Sequence, residues 1–171
     1  EAVKWYRLAA DQGDAAAQRM LGVCYYVGTG IREDKREAVK WYRLAADQGD
    51  AAAQWMLGAC YYFGEGIRED KQEAVKWYRL AADQGNAEAQ WRLGDCYYFG
   101  EGIGKNKREA VNWYFLSAKK GNAEAQRRLG ACFYFGHGVA KNRQEAIRWY
   151  RLAAEQGNSV AISMLKKLGV M

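Results

Sequence analysis

The chain has no proline, a single histidine and four cysteines, and it lacks any long apolar run. Without proline no helix is ended or kinked by a ring, so helix boundaries fall to glycine and to capping side chains. The cysteines, at 24, 60, 96 and 132, recur at one interval. Repeats stacked about a helix diameter apart would hold them beyond the roughly 6 Å reach of a disulfide, so they read as small buried apolar residues. Metal-ligand spacings such as C-x-x-C are missing, and the paired glycines lack the Lys-Ser or Lys-Thr of a phosphate loop. His137 stands in a loop with no nucleophile and orienting acid indicated beside it, and reads as a surface residue. No catalytic residue, metal or other cofactor is expected. Nothing approaches the roughly 18 apolar residues of a membrane helix, and no charged-then-apolar leader opens the chain, so no membrane span is expected. The chain opens without Met, midway through a repeat, as a processed chain or a fragment would.

What is present is repetition. A shift of 36 residues returns the same text: Asp14 to Gly49 and Asp50 to Gly85 differ only at Arg19/Trp55, Val23/Ala59, Val27/Phe63, Thr29/Glu65 and Arg36/Gln72. A fixed period of this length marks a solenoid whose core is built by stacking neighbours. The sequence divides into a second helix of an incomplete repeat (1–13), four full repeats (14–49, 50–85, 86–121, 122–157) and a C-terminal half-repeat (158–171), all within one repeat domain.

Each unit encodes two helices. Asp or Asn after a glycine starts the first, which runs about thirteen residues, as in Ala51 to Phe63, with Ala53, Gln54, Leu57, Cys60 and Tyr61 on one buried face. Gly58 sits inside that helix at a cost of about 0.5–1 kcal/mol relative to Ala, and its copies Gly22, Gly94 and Gly130 imply a close approach by another helix. Gly64 closes the helix, and Ile67 plugs the following turn. Asp70 and Glu73, with Asp34/Glu37, Asn106/Glu109 and Asn142/Glu145, stand at capping-box spacing and start the second helix. Along it Trp77 and its copies read as core, while Lys40, Arg43, Lys76, Arg79, Arg148 and Arg151 form an outer basic stripe, partly paired as Arg43 with Asp47. Helices this short depend on their neighbours. The fold class is therefore all-α, an α-α superhelix of helix pairs.

The pattern A-x-A-Q-x-x-L-G-x-x-Y-x-x-G-x-G-[IV] followed by E-A-[VI]-x-W-Y-x-x-[AS]-A-x-x-G, seen in Ala87 to Ile103 and three further copies, resembles the Sel-1-like repeat, a relative of the tetratricopeptide repeat. The resemblance implies a right-handed superhelix of antiparallel helix pairs that acts as an adaptor for other proteins, and it allows a bacterial periplasmic or secreted location. Cysteine-rich members carry a Cys pair in every repeat; one Cys per repeat leaves that disulfide framework absent, and the matched motif residues transfer no catalytic role.

Positions that change between copies are those free to specialise. On the first helix they are Ala16, Ala52, Glu88 and Glu124; Arg19, Trp55, Trp91 and Arg127; Met20, Met56, Arg92 and Arg128; and Val23, Ala59, Asp95 and Ala131. Within one helix they fall at i, i+3, i+4 and i+7, a single face opposite the Ala, Leu and Cys face. In the superhelix that the resemblance implies, this face lines the concave groove, with Trp55 and Trp91 on adjacent rungs about 10 Å apart. The expected ligand-binding residues are Trp55, Trp91, Met56, Arg92, Arg127, Arg128, Asp95 and Glu88, with the Trp rings as apolar anchors and the arginines drawing acidic groups. Against this stands the reading in which both rings only pack across neighbouring helices. Tyr26 and Phe63, with their copies, fit core or groove floor equally.

The formal charge of +6 is uneven, close to neutral through Gly85 with the excess base after it, which favours acidic partners near the C-terminal end or reflects solvated faces alone. The expected partner is a protein or peptide. Nucleic-acid binding is the weaker alternative, because acids intersperse the bases and no base-reading pair repeats. Self-association through an exposed Trp5 edge is the other.

Overall fold

The computed structural model describes residues 1–170. Among them are ten α-helices and no strands: α1 Ala2–Asp11, α2 Ala15–Val27, α3 Lys35–Asp47, α4 Ala51–Phe63, α5 Lys71–Asp83, α6 Ala87–Phe99, α7 Lys107–Lys119, α8 Ala123–Phe135, α9 Arg143–Glu155 and α10 Ser159–Lys167. Even-numbered helices are the first of each repeat and odd-numbered ones the second. They gather into two compact units, Glu1–Asn86 and the residues from Ala87 onward.

The boundaries follow from the capping chemistry. Asp14, Asp50, Asn122 and Asn158 accept hydrogen bonds from the backbone N–H groups of Ala17, Ala53, Ala125 and Ala161 at 2.6–3.0 Å, each worth about 1 kcal/mol. Gly28, Gly64 and Gly136 end their helices in the left-handed region, where a side chain would be strained. At the second helices only half of the capping box forms. Asp34, Asp70, Asn106 and Asn142 accept from the first-turn N–H groups, but their own N–H groups donate to the carbonyls of Tyr25, Tyr61, Tyr97 and Phe133. The glutamates are thereby released, and Glu37, Glu73 and Glu145 pair with Lys40, Lys76 and Arg148. Lys40, Lys76 and Arg148 of the outer stripe are thus paired at i, i+3. Arg43 donates to the Tyr61 hydroxyl rather than pairing with Asp47 as expected.

In the first unit Ala38, Val39, Tyr42, Ala45 and Ala46 of α3 pack with Ala53, Leu57 and Cys60 of α4, and Ile67 packs onto them from the loop. Ala10, Ala17 and Leu21 join α1 to α2. In the second unit Trp91, Ala110, Tyr114, Ala118, Ala125, Leu129, Cys132 and Trp149 form one cluster, and Ala146, Tyr150, Ala153, Ala161 and Leu165 another. The mid-helix glycine is explained by the second-helix tyrosine. A Cβ on Gly58 would lie 2.7 Å from the Tyr78 ring and one on Gly94 2.6 Å from the Tyr114 ring, distances that forbid any side chain. The tyrosine register, not the tryptophan register, fills the core. Tyr42, Tyr78, Tyr114 and Tyr150 are buried, whereas Trp41, Trp77 and Trp113 are half-buried and Trp5 is 67% exposed. Of the tryptophans expected to be core, only Trp149 is buried.

The motif glutamine joins one helix pair to the next. Gln18 Nε2 donates to the Ala10 carbonyl at 3.2 Å and its Oε1 accepts from Gln48 at 2.7 Å. Gln54 with Ala46 and Gln84, and Gln126 with Ala118 and Gln156, repeat the arrangement. A buried amide is tolerable only when satisfied in this way. In α10 the register holds Ile162.

Candidate functional site

Most of the changing registers of the first helices stay at or near the surface of each unit, Trp91 and Asp95 being the buried exceptions, while the invariant face is buried. In the first unit Arg19 of α2 reaches Asp50, the cap of α4, at 3.3 Å. Trp55 and Met56 of α4 are half-buried, Met56 packs on the core beside Val23, and the Trp55 Nε1 is buried with no hydrogen-bond partner.

In the second unit Glu88, Trp91, Arg92, Asp95, Arg127 and Arg128 come together along α6 and α8. Glu88 is exposed and accepts from Trp91 Nε1 at 2.8 Å and from Asn122 Nδ2 at 2.8 Å. Trp91 is only 8% exposed and its ring belongs to the core cluster, so it offers little surface as an apolar anchor. The Arg92 guanidinium lies 4.1 Å from the Trp91 ring centre. Asp95, 9% exposed, accepts from the Tyr114 hydroxyl at 2.5 Å and from Arg128 Nη2 at 2.9 Å. Burial pushes its carboxyl up, against the pull of Tyr114, Arg128 and Arg92. Glu124 binds Arg127, with Nε at 3.0 Å, and is held below the ordinary range chiefly by that bond; it also lies 3.5 Å from Arg128 Nε and accepts from Asn158.

Within each unit the face is therefore a set of clasps between successive first helices. Where the next cap is Asp50, an acceptor only, the preceding helix supplies Arg19; where it is Asn122 or Asn158, whose amide donates, it supplies Glu88 or Glu124. Arg127 and Arg128, expected to draw acidic groups from outside, already hold carboxylates of this chain. Sequence reasoning missed these pairs, whose signal is a fixed offset: 31 residues for Arg19 to Asp50, 34 for Glu88 to Asn122 and Glu124 to Asn158, and 33 for Asp95 to Arg128.

It left a second row open between core and groove floor. Phe63, Phe99 and Phe135, at the ends of the first helices, are 49–52% exposed, so this register is surface and not core. His137 is more engaged than a bare loop residue: its Nδ1 lies 2.5 Å from the Tyr98 hydroxyl, and its ring stacks on Phe135 with centres 5.6 Å apart. In the first unit a shallow depression of about 500 Å³ lies over α3, lined by Arg36, Val39, Lys40, Arg43, Leu44, Asp47, Gly66 and Ile67. Among the described residues no group of three or more His, Cys, Asp or Glu is placed to hold a metal ion, and no helix is long and apolar enough to cross a membrane.

The family model of the Sel1 repeat matches residues 1–14, 15–50, 51–86, 87–122 and 123–158. The chain belongs to the Sel1 repeat family. Members of this helical-repeat family are generally protein-interaction scaffolds and generally non-catalytic. Among solved structures, a protective antigen of uropathogenic Escherichia coli strains, displaying an SLR fold, superimposes with a TM-score of 0.88 at 41% identity over 93% of this chain and 34% of the other. A Sel1 repeat protein from Oxalobacter formigenes gives a TM-score of 0.89 at 40% identity over 95% of this chain and 65% of the other. The chain thus spans about a third of the first relative and just under two thirds of the second. Helicobacter pylori cysteine rich protein B shares the fold alone, with a TM-score of 0.62 at 22% identity over 78% of this chain and 96% of the other. Comparison with curated protein sequences gives no match. Unlike a disulfide-built repeat, this Sel1 array keeps its four cysteines buried and outside any disulfide.

Proposed function

We propose that this Sel1 array is a non-catalytic scaffold that holds a peptide segment of a partner protein against the changing face of its first helices. The observation that carries the reading is the split between faces: Ala53, Leu57, Cys60 and their copies are buried and nearly invariant, whereas Trp55, Met56, Glu88, Arg92, Arg127 and Arg128 vary between copies and reach solvent. In the first unit the half-buried Trp55 ring and Met56 supply apolar contact. In the second unit Glu88 and Arg92 supply polar contact, with Asp95, Arg127 and Arg128 fixing the surface beneath. Trp91 supports this surface from within. The test is a peptide-library selection on the parent and on a Trp55→Ala, Arg92→Ala double variant. Peptides enriched by the parent are expected to bind the variant at least about fivefold more weakly, as truncation of a hot spot worth about 1 kcal/mol implies. Equal binding by two folded proteins removes this face as the site.

A further inference from the structure

At the end of the first helices the repeats carry an internal comparison. In the first unit Tyr26 donates its hydroxyl to Glu65, and Lys35 Nζ lies 2.7 Å from the same carboxylate and 5.0 Å from the Tyr26 ring centre. Those two bonds, Lys35 first, hold Glu65 below the ordinary carboxylate range. The Lys–Tyr pair is therefore a carboxylate seat, and the chain fills it from its own next repeat. In the second unit the same places hold Tyr98, Lys107 and His137. Lys107 keeps its post, with Nζ 5.3 Å from the Tyr98 ring centre, but its carboxylate has been replaced by an imidazole, and no carboxylate of the described residues forms an ion pair with it.

The surroundings change in the same sense. Glu33 and Glu69 of the first unit are replaced by Lys105 and Lys141 in the second. Desolvation, then Lys107, Lys105 and Lys141, push the His137 pKa down, and no acid offsets them. Glu101, on the preceding loop, is already engaged. Beside this Lys–Tyr pair stand two apolar surfaces: Phe99, 49% exposed with the Arg128 guanidinium 5.4 Å from its ring centre, and Phe135, 51% exposed. Phe99 lies four residues beyond Asp95, so this edge continues the changing face of α6.

We propose that the edge formed by Tyr98, Phe99, Lys107, Phe135 and His137 takes an acidic segment of a partner polypeptide, one carboxylate seating on Lys107 as Glu65 seats on Lys35, with an adjacent apolar side chain against Phe99 and Phe135. The inference rests on the scaffold reading and names the chemistry of the partner. A carboxylate is favoured over a phosphate backbone because a carboxylate occupies the equivalent seat in the first unit.

Fluorescence anisotropy tests it with three labelled probes: a short peptide alternating Glu and Leu, its twin with Gln for Glu, and a single-stranded oligonucleotide of equal charge. The parent is expected to bind the Glu peptide at least about tenfold more tightly than either other probe, as one charge-assisted hydrogen bond implies. His137→Glu restores an internal carboxylate at a register that Glu65 and Glu101 already occupy. It is expected to keep the parent's circular dichroism and melting behaviour yet bind the peptide at least about tenfold more weakly, and Lys107→Gln is expected to do the same. Equal binding by the parent and His137→Glu overturns the proposal, as does an absence of peptide binding or an oligonucleotide that binds as tightly. Library-selected peptides held alike by the parent and His137→Glu would leave the scaffold standing without this edge; a library that enriches nothing removes both.

Discussion

Arg128 of α8 holds Asp95 of α6 with its Nη2 2.9 Å from the carboxylate Oδ2, at a place where two other rungs hold apolar pairs. Val23 and Met56 stand at the same two registers in the first unit, and Ala131 and Met164 at the end of the second, each pair against its core cluster. The ion pair has thus replaced a hydrophobic contact between successive rungs, with the Tyr114 hydroxyl satisfying the other carboxylate oxygen.

A double-mutant cycle in urea tests that relationship. Asp95→Val and Arg128→Met are each expected to cost about 2 kcal/mol, less than a fully buried pair because Arg128 keeps some solvent, while the double variant regains most of the loss by restoring the apolar pair. Single effects that simply add would show that the two residues do not depend on each other.

Gly94→Ala sets helix propensity against packing. Propensity alone predicts a gain of about 1 kcal/mol. The added Cβ, however, would lie 2.6 Å from the Tyr114 ring, whose hydroxyl is tied to Asp95, and overpacking of this kind costs about 1–3 kcal/mol. A net loss in urea midpoint is expected; a gain would contradict the close approach.

Much of this was legible before any coordinates. Capping residues, glycines and the Ala53, Leu57, Cys60 face are local signals, and the 36-residue copies multiply each of them. What stayed hidden depends on how rungs stack. The offset that sets Asp95 beside Arg128, or Glu88 beside Asn122, is a property of packed repeats and leaves no mark within one helix. The loss of Trp91 as an anchor has the same origin, since a position that changes between copies can still be buried once its neighbours are placed. Paired changes were the available clue. Arg7 and Arg43 donate to Tyr25 and Tyr61, and where the hydroxyl is lost at Phe133 the arginine register holds Phe115.

The thiols should be inert in the folded chain. Burial pushes Cys60 up to about 12 and Cys132 up to about 11, against an ordinary value of 9.0, so little thiolate is present to react. Labelling by a thiol reagent at pH 8 is expected to be slow until urea is added. Because the folded pKa values are raised, the stability these groups contribute is whole below pH 9 and is lost as pH climbs towards 11 and 12. Urea midpoints from pH 8 to pH 10.5 should therefore fall, and Cys60→Ala should flatten the fall. Rapid labelling of the native chain would contradict the burial.

The most direct measurement is a two-dimensional NMR titration of the isotope-labelled chain with a library-selected peptide. Saturable shifts are expected on Trp55 and Met56 in the first unit and on Glu88, Arg92, Phe99 and Arg128 in the second, with the outer positions Lys40, Lys76 and Leu116 unmoved. Shifts confined to those outer positions of the second helices, with the first-helix face silent, would contradict the account.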